Sequence, residues 1–195
     1  MENDVFPYEP LSLQVPEIRL IQVSTRQDES QPVLCTMVHA VLPKDFVALS
    51  YTWGQEMPLY TIYINGRRFS IRQNLYEFLA TISQTGSYED KYIWIDQICI
   101  DQGNGPEKNR QVSQMGDIYG NANGVVAWLG LAVASGDYWL DLMSHSHMPT
   151  MIDVQKILPF WNHLFSNPYW CRVWITQEII LSRKLTILLG NKGID

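Results

Sequence analysis

Phe46-Val47-Ala48-Leu49-Ser50-Tyr51 is a nearly unbroken apolar run that ends on hydroxyl-bearing residues and is followed by Thr52-Trp53-Gly54. A run with no polar face reads as a strand buried on both sides, as in a parallel sheet covered by helices. Three further runs of the same kind lie downstream: Tyr92–Asp96 (YIWID), Val125–Leu129 within GVVAWLG, and Leu185–Leu189 (LTILL). The segments between them carry apolar residues at helical spacing. Asn74 to Ser83 sets Leu75, Phe78, Leu79 and Ile82 on one stripe, with Asn74 as the expected N-cap. Pro106 suits the first turn of a helix running to Tyr119, with Val112, Met115, Ile118 and Tyr119 as its stripe. Trp170 to Leu181 reads as one strongly apolar helix, and shorter helical pieces are expected near Tyr138–Met143 and Val154–Phe165. Alternating buried strands and helices define an α/β domain with a central, mostly parallel sheet flanked by helices.

Upstream, residues 1–17 are rich in Pro, Glu and Asn and read as an extended arm. Ile18 to Ser24 alternates apolar and polar residues, as a half-buried strand does, and a polar stretch separates it from Val33 to Val41. These two are expected to form a hairpin at the sheet edge. A second hairpin is marked by Asn65-Gly66 between Thr61–Ile64 and Arg67–Ile71, because both turn positions of such a hairpin require positive φ. The fourth buried strand is followed by only six residues, ending at Asp195, where a doubly wound sheet would continue with a helix. Residues 18–195 are therefore expected to be one domain cut near its C-terminal end.

Composition narrows the function. In 195 residues, 20 acidic and 14 basic side chains leave a net charge of −6, and no Lys/Arg run occurs, so neither nucleic acid nor an anionic membrane is the expected partner. Seven Trp, ten Tyr and a charged fraction of only 17% argue for a sizeable core. No apolar run approaches the ~20 residues of a membrane span, and the acidic start lacks a secretory signal. Three widely spaced cysteines, Cys35, Cys99 and Cys171, read as buried reduced thiols of a cytoplasmic protein. His145 and His147 form a chelating pair without a third ligand nearby, so no metal site is expected.

In open α/β sheets ligands bind beyond the carboxyl ends of the strands. Ser50, Tyr51, Trp53 and Asp96 fall there, either as site residues or as caps on the core. Glu178 stands out more sharply. On a helical wheel its neighbours are Cys171, Trp174, Ile175, Leu181 and Ser182, an apolar or small face. A carboxylate buried without a partner costs several kcal/mol, so it calls for an ion pair, with Arg172 or Arg110 as candidates, or for a function. Phosphate-cradling loops and the nucleophile elbow are absent. Asp96 and Asp101 either form an acid pair or cap a loop.

The motifs Ala48–Gly54 (ALSYTWG), Ile93–Gln102 (IWIDQICIDQ), Glu107–Tyr119 (EKNRQVSQMGDIY), Val125–Gly130 (VVAWLG) and Tyr169–Glu178 (YWCRVWITQE) resemble those of the fungal heterokaryon-incompatibility (HET) domain, from about Ile18 onward. Asp101 departs from the Asn that the family often has before Gln. The resemblance implies a role in non-self recognition that triggers programmed cell death. It also implies a distant similarity to TIR domains with their flavodoxin-like sheet. Phe46–Tyr51 looks like the first TIR strand, and Trp174–Glu178 like the TIR W-x-x-x-E helix, whose Glu is catalytic in NAD-cleaving members. On that basis Glu178 is the expected catalytic residue, and Ser50, Tyr51, Trp53, Asp96 and Trp174 the expected substrate contacts. NAD is the implied substrate rather than a cofactor. Self-association on activation and an upstream sensor are the implied partners, and the rival expectation is a non-catalytic signalling module.

Overall fold

The computed structural model describes residues 6–42, 44–132 and 154–194. Nine strands form one mixed sheet: β1 (Glu17–Val23), β2 (Leu34–Val41), β3 (Val47–Tyr51), β4 (Leu59–Ile64), β5 (Arg67–Arg72), β6 (Ile93–Trp94), β7 (Gly124–Trp128), β8 (Leu185–Leu189) and β9 (Lys192–Ile194). Their order is β5-β4-β2-β1-β6-β3-β7-β8-β9. The four runs that read as doubly buried pair in parallel: β3 with β6, β3 with β7, and β7 with β8. Numbered by themselves, they lie 2-1-3-4, the flavodoxin-like doubly wound order. Strand order therefore reverses between β3 and β7, and a ligand crevice is expected at the carboxyl ends there. Burial accounts for the composition. All five residues of β7 are buried, and in β3 Ala48 to Tyr51 are.

Among the described residues the helices are α1 (Gln73–Thr85), α2 (Asp96–Cys99), α3 (Gly105–Ser113), α4 (Met115–Asn121), α5 (Val154–Phe165) and α6 (Ile175–Ile180), with a 3₁₀ turn at Pro168–Cys171. The core is split by the sheet. Alternation along β7 sends Trp128 towards Phe78 of α1, and Ala127 and Leu129 into a smaller cluster with Phe160, Tyr169 and Ile175. The expected piece at Tyr138–Met143 and the pair His145/His147 lie outside the described residues.

Several expectations need correction. The β1–β2 hairpin forms, but in the sheet interior: β6 flanks β1 and β4 flanks β2, so the β4–β5 hairpin makes the edge. That second hairpin turns as expected, with φ of 50° at Asn65 and 75° at Gly66. β1 is buried on both faces rather than half-buried. Its Arg19 is 0% exposed; its two terminal nitrogens are held by a bidentate pair to Glu107 (2.6 and 3.0 Å) and by the carbonyls of Cys99 and Glu9. The helix expected to reach Tyr119 breaks at Gln114 into α3 and α4. Trp170–Leu181 is likewise not one helix: Arg172 is extended, with φ −75° and ψ 136°, between the 3₁₀ turn and α6. Asn74 does not cap α1, which begins after an Arg72 without a side-chain cap bond. Cys35 and Cys99 are buried, but Cys171, no longer on a packed helix face, is exposed.

Candidate active site

The register of the parallel strands sets the site. Ser50 lies opposite Ala127 and Tyr51 opposite Trp128, so the two successive side chains leave β3 on opposite faces. Ser50 points towards the α6 side and is 0% exposed. Its hydroxyl donates to Glu178 Oε2 and lies 2.7 Å from the Tyr169 hydroxyl. Since the serine proton is committed to Glu178, Tyr169 is the donor to Ser50 Oγ. Burial pushes the Tyr169 phenol up to about 12, against the pull of the Ser50 hydrogen bond, so it keeps its proton at neutral pH.

Glu178, also 0% exposed, sits in the first turn of α6. Arg172 meets it as a fork, Nη1 to Oε2 and Nη2 to Oε1 at 2.9 Å each, while Nη1 also reaches Ser50 Oγ at 3.1 Å. The extended backbone at Arg172 brings a residue six positions earlier back onto the carboxylate. Burial opposes the charge on Arg172, but the adjacent Glu178 carboxylate outweighs it and raises its pKa. Among the described residues three donors thus occupy the carboxylate, and of its roughly four acceptor positions one on Oε1 is left by them.

Beyond this cluster a cleft of about 490 Å³ opens at the strand ends, with Glu178, Arg172, Trp174, Asp96, Trp53 and Thr52 on its wall. Such a volume lies within the range of small-molecule sites. Thr52 Oγ1 is buried and has no hydrogen-bond partner among the described residues. Asp96 accepts from Trp53 Nε1 at 2.7 Å and from the Gln97 amide at 2.7 Å. Desolvation pushes its carboxyl up to about 6, the largest influence; Trp53, Gln97 and Arg172 pull it down, and Glu178 adds to the rise. Trp53 is held from its other side by Arg72, whose guanidinium lies 5.0 Å from the ring centroid.

Of the residues singled out in the sequence, Trp53, Asp96, Trp174 and Glu178 line the cleft, and Ser50 stands behind it in contact with Glu178. Tyr51 is not part of the cleft wall: 1% exposed, it places its hydroxyl 3.2 Å from Gln97 Oε1. Period-two alternation alone forbids Ser50 and Tyr51 from serving the same face, a signal available in the sequence. Thr52 falls in the strand-end stretch but was given no role, and Tyr169 was not singled out: it follows Pro168 in a turn whose position only the fold reveals. Asp101 faces a neighbouring cavity, and its Oδ1 accepts from the Gly103 amide. Among the described residues no group of three His, Cys, Asp or Glu is arranged to hold a metal ion. No described helix is long and apolar enough to cross a membrane.

Fold and site together define a doubly wound α/β domain with a buried, arginine-held carboxylate at its switch-point cleft. Comparison with known families specifies it further. Residues 46–178 match the family described as heterokaryon incompatibility protein (HET), and the chain belongs to that family. Strands β1 and β2 precede the matched region yet complete the same sheet. The chain is 31% identical over 157 residues to Heterokaryon incompatibility protein 6, OR allele, of Neurospora crassa. The match covers 73% of this chain but only 23% of that protein. No solved structure matches.

Proposed function

We propose that this domain acts in fungal non-self recognition by hydrolysing NAD at the nicotinamide–ribose bond, with Glu178 as the catalytic residue. The observation that carries the reading is a carboxylate buried in the first turn of α6 that still lines an open cleft at the topological switch point. The incompatibility role is supported by the family and by the name of the Neurospora crassa relative. NAD, self-association on activation and an upstream sensor extend that reading.

The chemistry asks little acid catalysis, since nicotinamide leaves as a neutral base from a cationic ring. The site has to hold the ribose, stabilise positive charge growing on its anomeric carbon and admit water. The remaining acceptor position of Glu178 Oε1 suits a ribose hydroxyl, and the Arg172 fork fixes the carboxylate so that no reorganisation is needed as charge develops. Trp53 and Trp174 offer aromatic surface at the cleft, and Thr52 Oγ1 an uncommitted hydroxyl.

The same Arg172–Glu178 pair favours a second reading, in which the carboxylate is structural and the domain signals by association. An exposed apolar surface at Val173 (86%), Ile180 (73%) and Trp174 (45%) is consistent with it. Incubating concentrated protein with NAD and measuring nicotinamide release separates the two. The catalytic reading expects release, reduced ~100- to 1,000-fold in Glu178→Gln. A folded Glu178→Gln protein that releases nicotinamide at the parental rate, or a parental protein that releases none, sends the assignment to the signalling module.

A further inference from the structure

A second cavity, of about 550 Å³, adjoins the cleft: Trp53 and Gln102 line both. It lies against β5, the edge strand of the sheet, and its chemistry differs from that of the cleft. Arg68, Ser70 and Arg72 alternate along β5, and both arginines line the cavity. In a domain of net charge −6 this is a local concentration of guanidinium groups. Arg68 is exposed and has no ion-pair partner among the described residues. Arg72 is anchored by the Gly54 carbonyl at 3.1 Å and by the face of Trp53, while its acidic neighbour Glu56 is 3.6 Å away and 87% exposed, a weak contact. Two guanidinium groups on the wall of one cavity suit the oxygens of a diphosphate.

The rest of the wall combines aromatic rings, neutral polar side chains and one carboxylate. Phe6, Tyr8 and Phe69 form an edge-to-face cluster with centroids 5.1 to 6.2 Å apart, carried by the N-terminal arm and β5. All three line the cavity, as does Asp101. The arm is pinned there by the Tyr8 hydroxyl, which donates to the Ile98 carbonyl at 2.8 Å. An all-anionic ligand, such as an acidic peptide, would meet repulsion from Asp101. A nucleoside diphosphate does not: its base takes the aromatic wall, its phosphates take the arginines, and its vicinal ribose hydroxyls donate to the carboxylate.

We propose that this cavity binds the adenosine diphosphate half of the dinucleotide, with Trp53 standing between it and the nicotinamide half at Glu178. The assignment of the two halves rests on the NAD reading; the nucleotide site itself is tested without it. The probe is ADP, titrated calorimetrically into the intact chain, with adenosine and inorganic pyrophosphate as separate arms. ADP is expected to bind at least ~10-fold more tightly than either fragment, because base and phosphate contacts act together. Arg68→Gln, an exposed change that spares the core, is expected to weaken ADP binding ~10-fold, and Phe69→Ala to weaken both ADP and adenosine. Glu178→Gln is expected to leave ADP affinity unchanged. Pyrophosphate binding as tightly as ADP, or ADP affinity unmoved by Arg68→Gln, overturns the site. If ADP binds as expected and NAD is not cleaved, the nucleotide site stands and the hydrolase reading falls. If NAD is cleaved with a KM unchanged in Arg68→Gln, the hydrolase reading stands and the adenosine diphosphate site falls.

Discussion

Arg172 and Glu178 are six residues apart and joined by no continuous helix, yet they meet as a bidentate pair with both bonds at 2.9 Å. The pair is asymmetric: 18% of the arginine side chain is exposed, against 1% of the glutamate. Without a partner, a buried carboxylate would lose only a desolvation cost in Glu178→Gln, and the fold would be untouched. The pairing reverses that expectation. Breaking a buried pair from one side costs ~3–5 kcal/mol, less where the abandoned charge reaches water. Glu178→Gln is therefore expected to cost ~1–3 kcal/mol, a fall in melting temperature of roughly 3–10 °C. Arg172→Met strands the more deeply buried partner and is expected to cost more. The double variant Glu178→Gln/Arg172→Met should be more stable than Arg172→Met alone; additive losses in thermal unfolding would show that the pair is not coupled.

Asn74 carries a different load from the one its sequence context suggests. Its amide donates to the Thr52 carbonyl at 2.6 Å while its oxygen accepts from Trp128 Nε1 at 2.9 Å. It thus ties α1 to the ends of β3 and β7, where the cleft opens. Asn74→Ala leaves a buried indole N–H and a carbonyl unpaired, at ~1–3 kcal/mol, partly offset by the better helix propensity of Ala. Asn74→Asp keeps the acceptor for Trp128 and loses the donor, so it is expected to be destabilised too. A helix cap would tolerate Asp and Ser equally well. Denaturant midpoints for Asn74→Ala, Asn74→Asp and Asn74→Ser distinguish the roles, and a neutral Asn74→Asp would refute the bridge.

The legible part of this fold is what local pattern determines. Four doubly buried runs gave the parallel centre, and Asn65-Gly66 gave its hairpin, because burial and positive φ are written into single short segments. Arg19 shows where this stops. Its polar side chain in β1 reads as solvent-facing, and its burial depends on Glu107 on α3 and the Cys99 carbonyl, both remote in sequence, and on the Glu9 carbonyl of the arm. The break before α6 has the same origin. Apolar periodicity favoured one helix, while the fork between Arg172 and Glu178 requires an extended residue between two turns. Glu178 was visible as an anomaly on its wheel; the cavity beside β5 was not, because Phe6, Tyr8 and Asp101 come from segments with no shared pattern.

The cysteines divide by environment. Burial pushes the Cys35 and Cys99 thiols up to about 12, whereas Cys171 is exposed at the end of the 3₁₀ turn. A thiolate-directed reagent at pH 8 is expected to label one thiol rapidly in the native protein and three in denaturant without reductant. Cys171→Ser should abolish the rapid phase. Fast labelling of two or more native thiols would contradict the burial of Cys35 and Cys99.

Asp96 is expected to make folding stability depend on pH. Its folded pKa of about 6, raised chiefly by desolvation, exceeds the ~3.9 of an unfolded chain. Between these values the native state holds a proton that the unfolded state has released, so stability falls as pH rises from about 4 to about 6 and then levels off. This is opposite to the trend of a carboxylate with a depressed pKa, such as Glu107, where burial is outweighed by Arg19 and the Asp101 amide. Glu107 stabilises above the unfolded pKa and loses its contribution as pH falls further. Comparing parent with Asp96→Asn cancels Glu107 and every other shared group. Asn keeps an acceptor for the Trp53 indole and cannot ionise, so the variant should lack the Asp96 contribution, on the order of 1–3 kcal/mol between pH 4 and pH 7. In thermal unfolding, its melting temperature relative to the parent is expected to rise over that interval. A difference that stays flat from pH 4 to pH 7 would place the Asp96 carboxyl at its ordinary value and show that its surroundings do not desolvate it.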